Sequence, residues 1–130
     1  MDEGAPAWPP REPEKPVVLD RVHWETLRGP KDENLVASFM LLFSRDEPAR
    51  IAQLPALYAA RDGKELSRCA HTIAGSCAML GAREMQMTAL GLERAAHNNL
   101  WDEIPLRLTA VNEAWDRLRV VLKDEGFSLT

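Results

Sequence analysis

Between Val17 and the end of the chain, apolar residues recur every three or four positions, and no run of alternating β-branched residues reaches the length of a strand. A period near 3.6 lines up one face of an α-helix, whereas a half-buried strand needs a period of two. The fold class this implies is all-α. A first, short helix is predicted over about Asp20 to Leu27, ended by Gly29 and Pro30. A longer one starts near Asp32, with Leu35, Phe39 and Leu42 as its apolar face, and Pro48 interrupts it. Ile51, Leu54, Leu57 and Tyr58 continue the stripe past a bend at Pro55, up to Asp62 and Gly63.

The next helix has the clearest start, because Asp62 can cap it and Glu65 stands three residues later, the spacing of a capping box. It should end near Leu80, where Gly81 supplies a left-handed residue. A further helix is predicted from about Ala82 to His97, with Met85, Ala89, Leu92 and Ala96 on one face. The last begins near Asp102, tolerates Pro105 in its first turn, and carries Ile104, Leu108, Val111, Trp115, Leu118 and Leu122 as one stripe. Four substantial helices with short connections imply an antiparallel four-helix bundle with a short additional N-terminal helix.

Upstream of this pattern the composition changes, since five of the nine prolines fall in the first sixteen residues. Such a stretch forms no regular hydrogen-bonded element. Residues 1–17 are therefore read as a proline-rich flexible tether, with an ordinary disordered terminus as the other reading, and 18–130 as one domain.

Sixteen Lys and Arg against twenty Asp and Glu leave a formal charge of −4, and no basic block is present to neutralise a phosphate backbone. Nucleic acid is not expected as a partner. No apolar run approaches the roughly 20 residues that span a bilayer, so direct membrane insertion is not expected and a cytoplasmic location is. Cys69 and Cys77 lie eight positions apart in one predicted helix, a rise of about 12 Å and beyond disulfide reach. They are read as reduced core residues. Without paired His or Cys at ligand spacing, no metal site is expected.

The helix from Lys64 to Leu80 carries the functional argument. At 100° per residue, Leu66, Cys69, Ile73 and Leu80 fall within about 40° of one direction, and His71 points the opposite way, toward water. The same side holds Lys64, Ser67 and Arg68 before the histidine and Ala74, Gly75 and Ala78 after it. A glycine inside a helix costs about 1 kcal/mol relative to alanine, so Gly75 answers a demand for space. Either it keeps the downstream side of His71 open, or it lets another helix pack closely.

The stretch AHTIAGSCAMLG at 70–81 resembles the signature of histidine phosphotransfer (HPt) domains: His, any residue, aliphatic, Lys, Gly, four residues, then an apolar residue and Gly. His71, Ile73, Gly75, Leu80 and Gly81 match it. LDRVHWETLRG at 19–29, the long helix with its mid-course proline, the YAARDGKELSRCAH approach and the closing amphipathic helices are similar in order and length, so the resemblance spans about 18–124. One position departs from the pattern, because Ala74 stands where the family has lysine.

The resemblance implies a phosphorelay intermediate rather than an enzyme. His71 would carry a phosphoryl group between aspartates of receiver domains, in response regulators or hybrid sensor kinases. It implies no resident cofactor, since the Mg²⁺ of the reaction belongs to the receiver. The family's lysine helps neutralise the phosphoryl oxygens; Arg68 is the first candidate to replace it and Lys64 the second, against the reading that both are solvating charges. Exposed apolar residues near His71, Met79 among them, would dock the receiver.

Three other functions compete. A receiver-binding module without efficient phosphotransfer is motivated by Ala74. A histidine-kinase dimerisation domain fits poorly, because Thr72 and Gly75 stand where that family has an acidic residue and then a proline. A metal or haem binder would need His71, His97, Met79, Met85 and Met87 to converge, and those methionines recur irregularly. Whether the domain stands free or belongs to the cytoplasmic part of a membrane-bound sensor kinase is left open.

Overall fold

The computed structural model describes residues 16–29 and 33–129, all of whose regular structure is helical. Five helices follow one another: α1 (Arg21–Leu27), α2 (Glu33–Ala59), α3 (Gly63–Leu80), α4 (Arg83–His97) and α5 (Ile104–Asp124). The expected tether lies outside the described residues except for Pro16 and Val17, and the carbonyl of Val17 already accepts from the Glu84 N–H at 2.9 Å.

Local signals set the ends of the helices. Asp62 caps α3 by accepting from the Glu65 N–H at 3.1 Å, and Gly81 closes it in the left-handed region at φ 85°. Asp20 caps α1 in the same way, through the His23 N–H. Asn99, at φ 57°, turns the chain between α4 and α5, and Pro105 sits in the first turn of α5. Connections this short force neighbouring helices to run antiparallel.

The long helix departs from expectation in two ways. It runs unbroken through Pro48 and Pro55. Each proline removes one i→i−4 hydrogen bond, but Phe43, Ile51 and Leu54 anchor the helix in the core around them. Over its first half the buried face is also one residue out of phase with the predicted stripe, while Ile51 and Leu54 are buried as expected. Val36, Met40, Phe43, Ile51 and Leu54 are buried, whereas Leu35 and Leu42 are exposed and Phe39 is half-buried.

On α3 the buried residues are Leu66, Ala70, Ile73, Ala74, Cys77 and Leu80. Cys69, expected in the core, is half-buried at the edge of α2, where its thiol meets the Arg50 carbonyl at 3.5 Å. Ala74, expected on the open side with His71, is only 4% exposed. Both corrections have one cause: the buried sector is turned by roughly 50° relative to the predicted stripe, since α3 packs on α4 as well as α2. The remaining faces follow expectation, with Met85, Ala89, Leu92 and Ala96 buried on α4 and Ile104, Val111, Trp115, Leu118 and Leu122 on α5. Leu108 is half-buried.

The short α1 is held across one end of the bundle. Trp24 is fully buried, donates its indole N–H to Glu125 at 2.8 Å, and meets Phe127 edge to face. The backbone N–H of Asp20 reaches the Gly81 carbonyl at 2.8 Å, and His23 bonds the Met79 carbonyl at the same distance.

Among the described residues, one charged group lies in the core. Glu47 sits on the buried face of α2, fully enclosed, with Arg50 at 3.4 Å and Ser76 of α3 as its polar neighbours and Oε1 without a partner. Burial pushes its carboxyl up to about 7. The folded chain therefore binds a proton that the unfolded chain has already lost, and stability falls as pH rises from about 4.5 to 7. The fall should be on the order of 2–3 kcal/mol by urea unfolding. Glu47→Gln should remove that slope and be at least as stable as the parent at pH 8.

Candidate functional site

The polar edges of α3 and α4 meet along a groove of about 510 Å³, lined by Lys64, Ser67, Arg68 and His71 from α3 and by Glu93, Ala96 and His97 from α4. Gly63 and Asn99 close its end. Gly63 allows this junction, because a Cβ there would lie 3.0 Å from both the Ala96 carbonyl and the Asn99 side-chain oxygen.

His71 stands on the rim with its side chain 72% exposed. Its Nδ1 lies 3.1 and 3.2 Å from the two oxygens of Glu93, whose side chain is 28% exposed. A carboxylate offers only acceptors, so the contact selects Nδ1–H as donor and leaves Nε2 as the lone-pair nitrogen when the ring is neutral. Leu66, Ala70 and Ile73, buried on the opposite side of the same two turns, hold the helix beneath the ring.

Arg68 shares His71's side and pairs with Glu65 at 3.1 Å. Lys64 lines the groove one turn further back and, among the described residues, has no ion-pair partner. Gly75 is exposed, and a Cβ built on it meets nothing within 4 Å. The reading that this glycine admits a close helix is therefore overturned. Beyond it, Met79, Met87 and Leu90 are exposed apolar side chains of α3 and α4.

The Hpt domain family matches residues 38–120, a span that runs from α2 to near the end of α5 and contains the whole groove. The chain belongs to this family. Hpt domains are helical bundles that serve as phosphotransfer intermediates in phosphorelays and interact with receiver domains. No curated protein and no solved structure matches the chain.

Of the groove residues of this Hpt domain, Glu93 escaped the sequence reading, and His97 entered it only as a candidate metal or haem ligand. They stand at i and i+4 on the polar side of α4, a pairing visible in the sequence, but which polar residue faces His71 depends on the α3–α4 register. The metal or haem alternative loses its ligand set, since Met85 is buried in the core. Among the described residues no group of three His, Cys, Asp or Glu is arranged to hold a metal ion. No described helix is long and apolar enough to cross a membrane.

The two glycines of α3 should respond oppositely to one added methyl. Gly75→Ala should raise the unfolding free energy by about 1 kcal/mol, the helical preference of alanine over glycine. Gly63→Ala should lower it by on the order of 1 kcal/mol, because the backbone oxygen of Ala96 cannot swing aside. Urea denaturation of the two variants checks both signs.

Proposed function

We propose that His71 is the phosphoryl-carrying residue of this domain, passing the group between aspartates of receiver domains. The observation that carries the reading is an exposed imidazole whose Nδ1 is engaged by Glu93, which leaves Nε2 free. The Nε2 lone pair attacks the phosphorus of a receiver's aspartyl phosphate, the acyl P–O bond breaks, and the aspartate departs as carboxylate. The product is an Nε2-phosphoryl imidazolium that keeps its Nδ1 proton against Glu93. Attack by a second receiver's aspartate reverses the step and returns the neutral ring. No base is required, and the receiver supplies the in-line geometry.

Arg68, then Lys64, stand in for the missing lysine by offering charge to the phosphoryl oxygens from the upstream side of His71. Gly75 is kept small so that a receiver can close over the ring, with Met79, Met87 and Leu90 as the apolar part of its footing. The setting of this exchange is the cytoplasm. Ala74 favours the second reading, a receiver-binding module without efficient transfer, and the same experiment separates the two.

Incubation with phosphorylated receiver domains should place an acid-labile, base-stable label on the chain. His71→Gln should abolish the label while changing the unfolding free energy by no more than about 0.5 kcal/mol, as for other exposed positions. Binding of receivers without any label would support the second reading, and a label surviving in the variant would exclude His71. Gly75→Gln should make the domain more stable yet slow transfer by about tenfold or more, because a longer side chain one turn from His71 obstructs the in-line approach. Stabilisation with unchanged transfer would remove Gly75 from the mechanism.

A further inference from the structure

We infer that His97, when protonated, is a cationic partner for the phosphoryl group on His71, so that loading of this carrier depends on pH through a residue other than the acceptor. The inference rests on the carrier reading above. It begins from the direction of side chains, which on any α-helix lean toward its N-terminus. In the antiparallel pair, His71 leans toward the end where α3 begins and α4 finishes. His97, in the last turn of α4, leans back toward the level of Glu93. The two rings converge on one groove, and both line it.

The other charges of the groove are already engaged, apart from one. Glu93 accepts from His71, and Arg68 shares its charge with Glu65. Among the described residues neither Lys64 nor His97 has a hydrogen-bond or ion-pair partner. A phosphoryl group projecting from Nε2 brings three acceptor oxygens and about two negative charges to this end of the groove. Lys64 meets them with a fixed charge, whereas a histidine changes its charge between about pH 5 and 8. The charged groups around His97 are Lys64, Arg68 and His71 from α3 and Glu93 and Arg94 from its own helix, with Arg94 drawn to Glu103 at 3.7 Å.

Potassium phosphoramidate tests this without a receiver. Nε2 of His71 attacks the phosphorus of the N-protonated donor, the P–N bond breaks with its electron pair going to nitrogen, ammonia leaves, and the phosphoryl imidazolium forms with no other proton moved. Initial labelling rates are compared for the parent chain, His97→Lys and His97→Gln from pH 6 to pH 8, so that titration of the donor is common to all three. At pH 6 the parent should match His97→Lys and exceed His97→Gln by about threefold to tenfold, the effect of one exposed cation on a transferring anion. At pH 8 it should match His97→Gln instead. Superimposed profiles, or a parent that tracks one variant at every pH, would overturn the role of His97 and leave His71 as carrier. A parent chain that takes no label, or a label that persists in His71→Gln, would overturn the carrier reading and this inference with it.

Discussion

The close packing of α3 on α4 is the constraint from which the site follows. Buried alanines occupy this seam from both sides, Ala70 and Ala74 on α3 and Ala89 and Ala96 on α4. Small side chains let two helix backbones approach, and at the end of the seam Gly63 removes even the Cβ that would meet the Ala96 carbonyl. Because the helices lie so near, residues on their solvent edges come within hydrogen-bonding distance. The His71–Glu93 contact is thus a product of the core beneath it. The same seam accounts for Ala74. A residue turned into it is enclosed by α4, and a lysine there would have to run its stem out along the packed surface before its charge reached water.

What could be read from the sequence divides along a physical line. The α3 cap at Asp62, its end at Gly81, and the apolar stripes of α4 and α5 are encoded within a few residues, and local chemistry alone decides them. The face of α2 is not encoded so locally. Leu35, Leu41 and Leu42 are apolar and exposed, while Glu47 is charged and buried, so the helix offers two rival stripes one residue apart. Only the surfaces of α3 and α5 choose between them. The exposure of His71 was legible because it needed one helix and its period; Glu93 and His97 needed the register of two.

Glu47 shows how a core can hold a charge that sequence patterning would assign to solvent. It occupies the step between Phe43 and Ile51 on the buried face, and Arg50 and Ser76 offer partial compensation. Compensation is incomplete, since one oxygen has no partner and burial raises the carboxyl to about 7. The thiol of Cys77 nearby is also pushed upward, first by its own burial and then by the glutamate's charge. Neither group lines the groove, so this buried polar cluster bears on the stability of the α2–α3 contact and not on the surroundings of His71.

The environment of His71 is asymmetric along α3, and under the proposed carrier role this asymmetry bears directly on transfer. Upstream lie long basic residues, and downstream lies Gly75 with nothing near it. An imidazole leaning toward the helix N-terminus would direct a phosphoryl group over Lys64 and Arg68 and leave the surface beyond Gly75 free for an approaching protein. Charge for phosphoryl oxygens and room for a partner would then lie on opposite sides of one ring. A lysine at position 74 would combine both on the downstream side. If His71 carries the phosphoryl group as proposed, then with Ala74 the electrostatic contribution has to come from upstream and from across the groove, where the last turn of α4 places His97.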